Sequence, residues 1–267
     1  MNDVYVHGHH PSVLAAHGAR TAADSAGYLL PHLSPGASVL DVGCGPGTIT
    51  LDLAEAVGPT GSVIGVENVE PPLLRARATA AARGDGRTRF VLADVMTLPY
   101  AAGSFDVVHA HQVLQHLTDP VGALREMARV TRPGGLVAVR DVDYASMVWH
   151  PETEGMTAWL ALYRRLARLN HAEPDAGRHL TAWAHAAGLH ELEPSASLWT
   201  YATPEQCTWW SGVWASRVFG STFAAEATGR GLATAEDLTR MSAAWRQWGH
   251  DPDAWFAMTH AELLARV

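Results

Sequence analysis

Short apolar runs alternate with helical patterns through the first half of the chain, and this alternation restricts the fold more than any single motif. SVLDV (38–42), SVIGVE (62–67), RFVLAD (89–94), FDVVHA (105–110) and GLVAVRD (135–141) read as strands, separated by segments such as ITLDLAEAV and VGALREMARV. Strict alternation of strand and helix builds βαβ units around a parallel sheet. The punctuation agrees: Thr118, Asp119 and Pro120 supply a cap and a first-turn proline for one helix, and RPGG (132–135) stops it before the next strand. Upstream, residues 10–33 predict a helix, ended by Pro35 and Gly36.

In such a sheet the ligand lies at the carboxyl ends of the strands, and the first strand-to-helix loop needs glycine where the backbone approaches it. Here that loop is DVGCGPG, with glycines at 43, 45 and 47. A dinucleotide fingerprint, G-x-G-x-x-G/A counted from Gly43, fails at Thr48. Glu67 ends the second strand, where a carboxylate can accept from both hydroxyls of an unphosphorylated ribose. Asp94 ends the third, where it can accept from an exocyclic amine such as that of adenine while the N–H of Val95 faces a ring nitrogen. The set suits an adenosine without a pyrophosphate.

Composition removes other functions. The formal net charge of −8, from 27 acidic against 19 basic residues, offers no broad positive field for a phosphate backbone or an anionic membrane. Neither nucleic acid nor a membrane is an expected partner. Every basic residue is arginine, which excludes a phosphate-loop lysine, a Schiff-base lysine and a lysine base. Cys44 and Cys207 cannot build a disulfide framework, no run reaches the ~18 apolar residues of a membrane span, and MNDVYVHGHH lacks a signal-peptide profile. The expectation is a cytoplasmic protein. His7, His9 and His10 have no matching acid or cysteine cluster nearby, so they read as part of a mobile start, and no metal is expected.

On these residues the chain resembles the class I S-adenosylmethionine-dependent methyltransferases. VLDVGCGPG is similar to their first motif, Glu67 to their ribose acid, Asp94 in VLADVMTLP to their adenine acid, and FDVVHAHQVLQHLTDP with RPGG to their fourth and fifth strand regions. RTAADSAGYLLPHL and WRQWGHDPDAWFAMTHAELLARV resemble an actinobacterial subgroup associated with specialised metabolism. The resemblance implies an α/β, Rossmann-like, doubly wound and mostly parallel sheet of seven strands with helical cap insertions. It also implies S-adenosyl-L-methionine as cofactor and a small, apolar or aromatic metabolite as methyl acceptor. The cofactor contacts so implied are Arg20, Asp41, Gly43, Cys44, Gly45, Glu67, Asp94, Val95 and His111, with Arg20 at the methionine carboxylate and Cys44 a small residue that fits beside the sulfonium. Glu70-Pro71-Pro72-Leu73 is superficially like the motif of amino methyltransferases acting on DNA bases, but it follows strand 2 rather than strand 4 and lacks the stacking aromatic.

Two candidates for proton removal come from neighbouring strands: His116, beyond strand 4, and Asp141, the last residue of strand 5. A carboxylate within reach of the imidazole would raise its pKa and keep it a base near neutrality. Some relatives place a histidine pair after strand 4; here the first of that pair is Gln115. His111 is a rival closer to the cofactor, expected to contribute its backbone.

All ten tryptophans lie between Trp149 and Trp255. TAWLALYRRLARL, GRHLTAWAHAAG and the block from Pro204 to about Gly249 read as helical, LHELEPSASLWTYA as strand-like, and DAWFAMTHAELLARV as a closing strand. With that strand antiparallel, both helical insertions leave and rejoin the sheet at its carboxyl edge and are expected to roof the reacting methyl. Some tryptophans then belong to the core or to an interface between two copies, and others line an aromatic pocket. Trp209, Trp210 and Trp214 cannot share one helix face, so at least one should face the pocket or a partner chain. The chain divides into an N-terminal helical segment (1–35), a cofactor-binding core (36–141) and a region that completes the sheet and carries the cap (142–267). A nicotinamide-dependent oxidoreductase and a non-methylating S-adenosylmethionine-binding protein remain as alternatives, and both monomer and homodimer stay open.

Overall fold

Seven long strands and one short one form a single mixed sheet within residues 18–267, the part of the chain that the computed structural model describes. The strands are β1 (Ser38–Val42), β2 (Ser62–Glu67), β3 (Arg89–Leu92), β4 (Phe105–His111), β5 (Thr131–Val142), β6 (Val148–His150), β7 (Glu191–Tyr201) and β8 (Trp255–Arg266). From β3 the order runs β2, β1, β4, β5 and β8, with β7 on the far side of β8. The first five strands are parallel, and β8 is antiparallel to both β5 and β7. Short β6 pairs with the start of β8, through Val148 opposite Ala257 and His150 opposite Trp255. Strand order therefore reverses at β1 and β4, where a ligand crevice is expected to open.

The β1 strand shows why the sheet is buried on both faces. Val39 packs on one side with Leu29, Leu53 and Val63, and Leu40 and Val42 pack on the other with Val108, Leu124 and Met127. Each fully buried Val or Leu contributes about 1.5–3 kcal/mol. Helices α1 (Ala22–Ser25) and α2 (Thr48–Ala56) cover the first face; α4 (Pro120–Val130) and α6 (Leu180–Ala187) cover the second, and α3 (Glu70–Ala82) packs near Cys44 and Phe90. Asp119 caps α4 by accepting from the Gly122 N–H, with Pro120 at the first helical position, as the sequence predicts.

The cap is built from α5 (Glu154–Leu169), α7 (Pro204–Gly220), α8 (Thr222–Gly229) and α9 (Ala235–Trp248). Its core is aromatic: Trp159, Trp210, Trp214, Trp245 and Trp248 are buried with Tyr144, Tyr163, Phe223 and Phe256. Two expectations need correction. The helix read over 10–33 is broken in its described part, with α1 and a separate 3-10 turn, Leu30–His32, because Thr21 opens a new capping box and Pro31 is the second residue of the turn. Its earlier residues, with His7, His9 and His10, lie outside the described residues. The GRHLTAWAHAAG segment does not join the cap; Leu180 and Ala184 of α6 pack in the layer beneath the sheet with Leu124 and Leu263.

Candidate active site

At the end of β1 the chain turns through Gly43 (φ +65°) and Gly47 (φ +79°), the latter capping α2. A Cβ on Gly43 would collide with the Val113 side chain, and one on Gly47 would stand 2.9 Å from Ala76 and from the Phe90 ring. These backbone angles are ones that side chains rarely adopt, so glycine is required for shape as well as for space. At Gly45 nothing lies within 4 Å of the equivalent position, and the loop opens there onto a cavity of about 390 Å³.

The nine residues expected to contact a cofactor all line this cavity, and so does His116. Asp141 does not. Glu67 stands at the end of β2, with Oε2 accepting from the Gly45 N–H at 3.2 Å and Oε1 from the Asn68 N–H at 2.9 Å. Burial raises its pKa, and these two N–H groups oppose that shift. Asp94 accepts from the Met96 N–H through Oδ1 at 2.9 Å, which leaves Oδ2 for a ligand, and Val95 follows it in a 3-10 turn, Val95–Thr97. Asp41 is committed elsewhere: one oxygen accepts from Thr50 Oγ1 at 2.6 Å and the other faces His109 Nδ1. Its side chain thus braces the loop from beneath. The Cys44 thiol is buried under Gly65, and desolvation, followed by the charges of Asp41 and Glu67, pushes its pKa well up, as suits a small filling residue rather than a nucleophile.

A polar cluster closes one side. Arg20 Nη2 donates to Gln112 Oε1 at 2.7 Å, and Gln112 Nε2 lies 2.8 Å from His260 Nε2 on β8. The Trp199 indole on β7 sits near two guanidiniums, Arg20 at 5.3 Å and Arg140 at 5.2 Å from its centroid. Arg140 is fully buried and pairs with Glu262 at 3.2 Å across the β5–β8 register. His111 ends β4 with Nδ1 at 3.4 Å from Arg140 Nη1. Burial, then Arg20 and Arg140, hold His111 well below the usual histidine range; burial, then Arg140 and Arg20, do the same to His260. Gln112, His260, Trp199 and Arg140 were not expected from sequence. The one legible signal was polarity in otherwise apolar strands, in VAVRD and in MTHAE.

The proposed His116–Asp141 pairing is not formed. Asp141 is fully buried, and its Oδ1 accepts from the backbone of the turn that carries His116, at 3.4 Å from Gln115 N. Desolvation raises Asp141 to about 8, while burial and then the Arg20 charge lower His116 to about 3. A lowered imidazole pKa is the reverse of what an orienting carboxylate would give. The tryptophan roof also needs revision, because no tryptophan is among the residues lining the cavity. Trp210 and Trp214 are buried in the cap core, and of the three on α7 it is Trp209 that points out, 41% exposed.

Residues 33–202 match the family described as "Methyltransferase domain". The chain is 34% identical to an uncharacterized methyltransferase of Schizosaccharomyces pombe, over 97% of this chain and 95% of that one. Among solved structures it is similar to a putative methyltransferase from Bacillus halodurans, with a TM-score of 0.57 at 19% identity, covering 96% of this chain and 98% of the other. It is also similar to the [4+2]-cyclase SpnF, with a TM-score of 0.52 at 22% identity over 94% and 79% of the two chains.

Proposed function

The chain belongs to the class I S-adenosylmethionine-dependent methyltransferases, and on that premise we propose that the cavity at the carboxyl ends of β1, β2 and β4 seats the cofactor beside a small, apolar or aromatic acceptor. The observation that carries this reading is the convergence of Glu67 and Asp94, from adjacent strands, on one cavity floored by the open Gly45 backbone. The residues fit the group. Glu67 suits the two ribose hydroxyls, Asp94 with the Val95 N–H suits the adenine edge, and Arg20 supplies a charge for the methionine carboxylate. Asp41 acts through the loop it braces.

When bound, the cofactor supplies a sulfonium methyl to a nucleophile. The chain's own part is to hold that nucleophile in line and to exclude water; well-oriented reactants gain roughly 7–11 kcal/mol in this way. His116, at about 3, is a weak base near neutrality, and Asp141 stands outside the cavity, so proton removal is assigned to neither. The rate then rests on positioning. Calorimetry with S-adenosylhomocysteine against NAD tests the seat: NAD binding as tight as S-adenosylhomocysteine would overturn it.

A second reading, use of the same seat without methyl transfer, is favoured by one observation, the fold likeness to a cyclase. Product analysis separates the two, since transfer of labelled methyl to any acceptor excludes the second. We also read the protein as cytoplasmic and as having no nucleic-acid partner; the presence of only two cysteines, too few for a disulfide framework, supports the first reading and the acidic net charge of −8 the second. Among the described residues no helix is long and apolar enough to cross a membrane.

A further inference from the structure

We propose that His111 is a fixed hydrogen-bond donor that forms, beside Arg20, a seat for an anionic oxygen on the cavity wall, and that Gln112 is the residue that positions this seat. The inference rests on the cavity being the cofactor site and deepens that reading.

The direction of the donor follows from its neighbours. A guanidinium only donates, so Arg140 Nη1, 3.4 Å away, requires a lone pair on His111 Nδ1. Burial and the charges of Arg20 and Arg140 keep the ring neutral, so its one proton sits on Nε2. Nε2 is buried and has no hydrogen-bond partner, although His111, only 6% exposed, lines the cavity. A buried N–H left unpaired is costly, and a ligand oxygen in the cavity would satisfy it.

The surroundings say what kind of oxygen. Two nearby carboxylates are spoken for, Asp41 by Thr50 and His109 and Glu262 by Arg140, Ser195 and Ser197, and Asp141, whose Oδ2 has no partner, stands outside the cavity. The same proton logic runs through Gln112. Because Arg20 can only donate, the atom it meets is the amide oxygen, so Gln112 Nε2 donates to His260 Nε2. On this side of the cavity, away from Glu67 and Asp94, the wall therefore presents donors and a positive charge, and the Gln112 amide oxygen is taken by Arg20. Gln112 holds this arrangement from a left-handed backbone at φ +54°, pinned by its N–H to the Arg140 carbonyl at 2.7 Å. Non-glycine residues seldom sit there unless their surroundings impose it.

An anionic oxygen could come from the cofactor's methionine carboxylate or from an ionised group of the acceptor, and calorimetry distinguishes them. The proteins are wild type, His111→Phe, which keeps a flat ring without the donor, and His111→Gln, whose amide restores an N–H near Nε2. The probes are S-adenosylhomocysteine, its decarboxylated analogue, and benzoate added to protein saturated with S-adenosylhomocysteine. If the carboxylate occupies the seat, His111→Phe weakens S-adenosylhomocysteine at least tenfold, as expected for a bond to a charged group. His111→Gln recovers most of that loss, and the decarboxylated analogue binds wild type and His111→Phe alike. If the acceptor supplies the oxygen, S-adenosylhomocysteine is unaffected, while benzoate binds wild type and His111→Gln but not His111→Phe. The proposal is overturned if His111→Phe binds all three probes as wild type does, if His111→Gln is as weak as His111→Phe, or if the loss persists without the carboxylate. Circular dichroism checks each fold, and Gln112→Met, expected to weaken the same probe, replaces His111→Phe should that variant not fold. Wild type that fails to bind S-adenosylhomocysteine overturns the cofactor reading itself, and the seat with it.

Discussion

His109 Nδ1 lies 2.7 Å from Asp41 Oδ1, with both side chains buried between β4, β1 and α2. Thr50 holds the other carboxylate oxygen, so the last acid of β1 is locked beneath the glycine loop before any ligand arrives. His109→Leu leaves a buried carboxylate oxygen without its partner, and the expected loss of stability is about 1–3 kcal/mol. Urea unfolding measures it; an unchanged midpoint and slope would show that the lock carries no energy.

The two cavity acids should differ in weight. Glu67→Ala removes a half-buried acceptor at the position proposed for the ribose, worth roughly 1.5–3 kcal/mol for a charged hydrogen bond, so affinity for S-adenosylhomocysteine should fall at least tenfold. Asp94 is solvent-exposed, and Asp94→Ala should cost less. A larger effect from Asp94 would reverse this ranking.

His116 is lowered to about 3 by burial and by Arg20, which places its titration far from neutrality. The kcat of the wild type should accordingly show no acidic limb at pH 6–7 from this residue, and His116→Asn should lose much less than the ~10²-fold expected from removal of a general base. A limb in that range that vanishes in His116→Asn would restore it as the base.

Asp141 and the depressed histidines pull stability in opposite directions. Asp141 is raised from 3.8 to about 8, so its folded form holds a proton that the unfolded chain releases, and its contribution is lost as pH rises from about 4 through 8. His111, His116 and His260 are lowered from 6.5, so the unfolded chain binds protons that the fold refuses, and stability falls as pH drops below about 6.5. Each group can contribute up to about 1.4 kcal/mol per pH unit within its window. Asp141→Asn, which keeps an acceptor for the Gln115 N–H, should match wild type in Tm near pH 4 and exceed it near pH 8. A constant difference across that range would mean that the carboxyl does not titrate as assigned.

The cap tryptophans should report on folding rather than on binding. Trp245 is fully buried, edge-on to Trp159 at 5.0 Å and Trp248 at 5.9 Å, and Trp245→Ala should destabilise by about 3–5 kcal/mol. Trp209→Ala, on the exposed side of α7, should change stability by about 0.5 kcal/mol or less. If Trp245→Phe, which preserves most of the packing, alters S-adenosylhomocysteine affinity, the cap core is coupled to the cavity after all.

The parallel half was readable because its information is local. SVLDV and SVIGVE coincide with β1 and β2 residue for residue, since apolar runs bounded by glycine and proline leave little choice of end. β3 stops at Leu92, two residues earlier than read, because Ala93 and Asp94 turn toward the 3-10 segment. The polar cluster was hidden for the opposite reason. Arg140 and Glu262 are separated by 122 positions and meet only through antiparallel register, which no periodicity reveals. The tryptophans misled because an indole at helical spacing satisfies a packed core and a ligand pocket equally well; only the contacts of Trp159, Trp210 and Trp245 decide between them.

The place of β8 in the sheet imposes an order on the making of the site. This strand inserts between β5 and β7 and also supports β6, yet it is synthesised after every other described element. A nascent chain that has emerged only through α9 carries Arg140 with no Glu262 to neutralise it, and Gln112 with no His260 to receive its amide proton. On the ribosome the glycine loop can form early with its neighbours β2 and β4, while the cationic wall waits for residues 260–262. If the cavity is the ligand seat proposed above, its polar wall is completed only with closure of the sheet, and a chain truncated before that strand keeps the glycine loop but lacks Glu262 and His260.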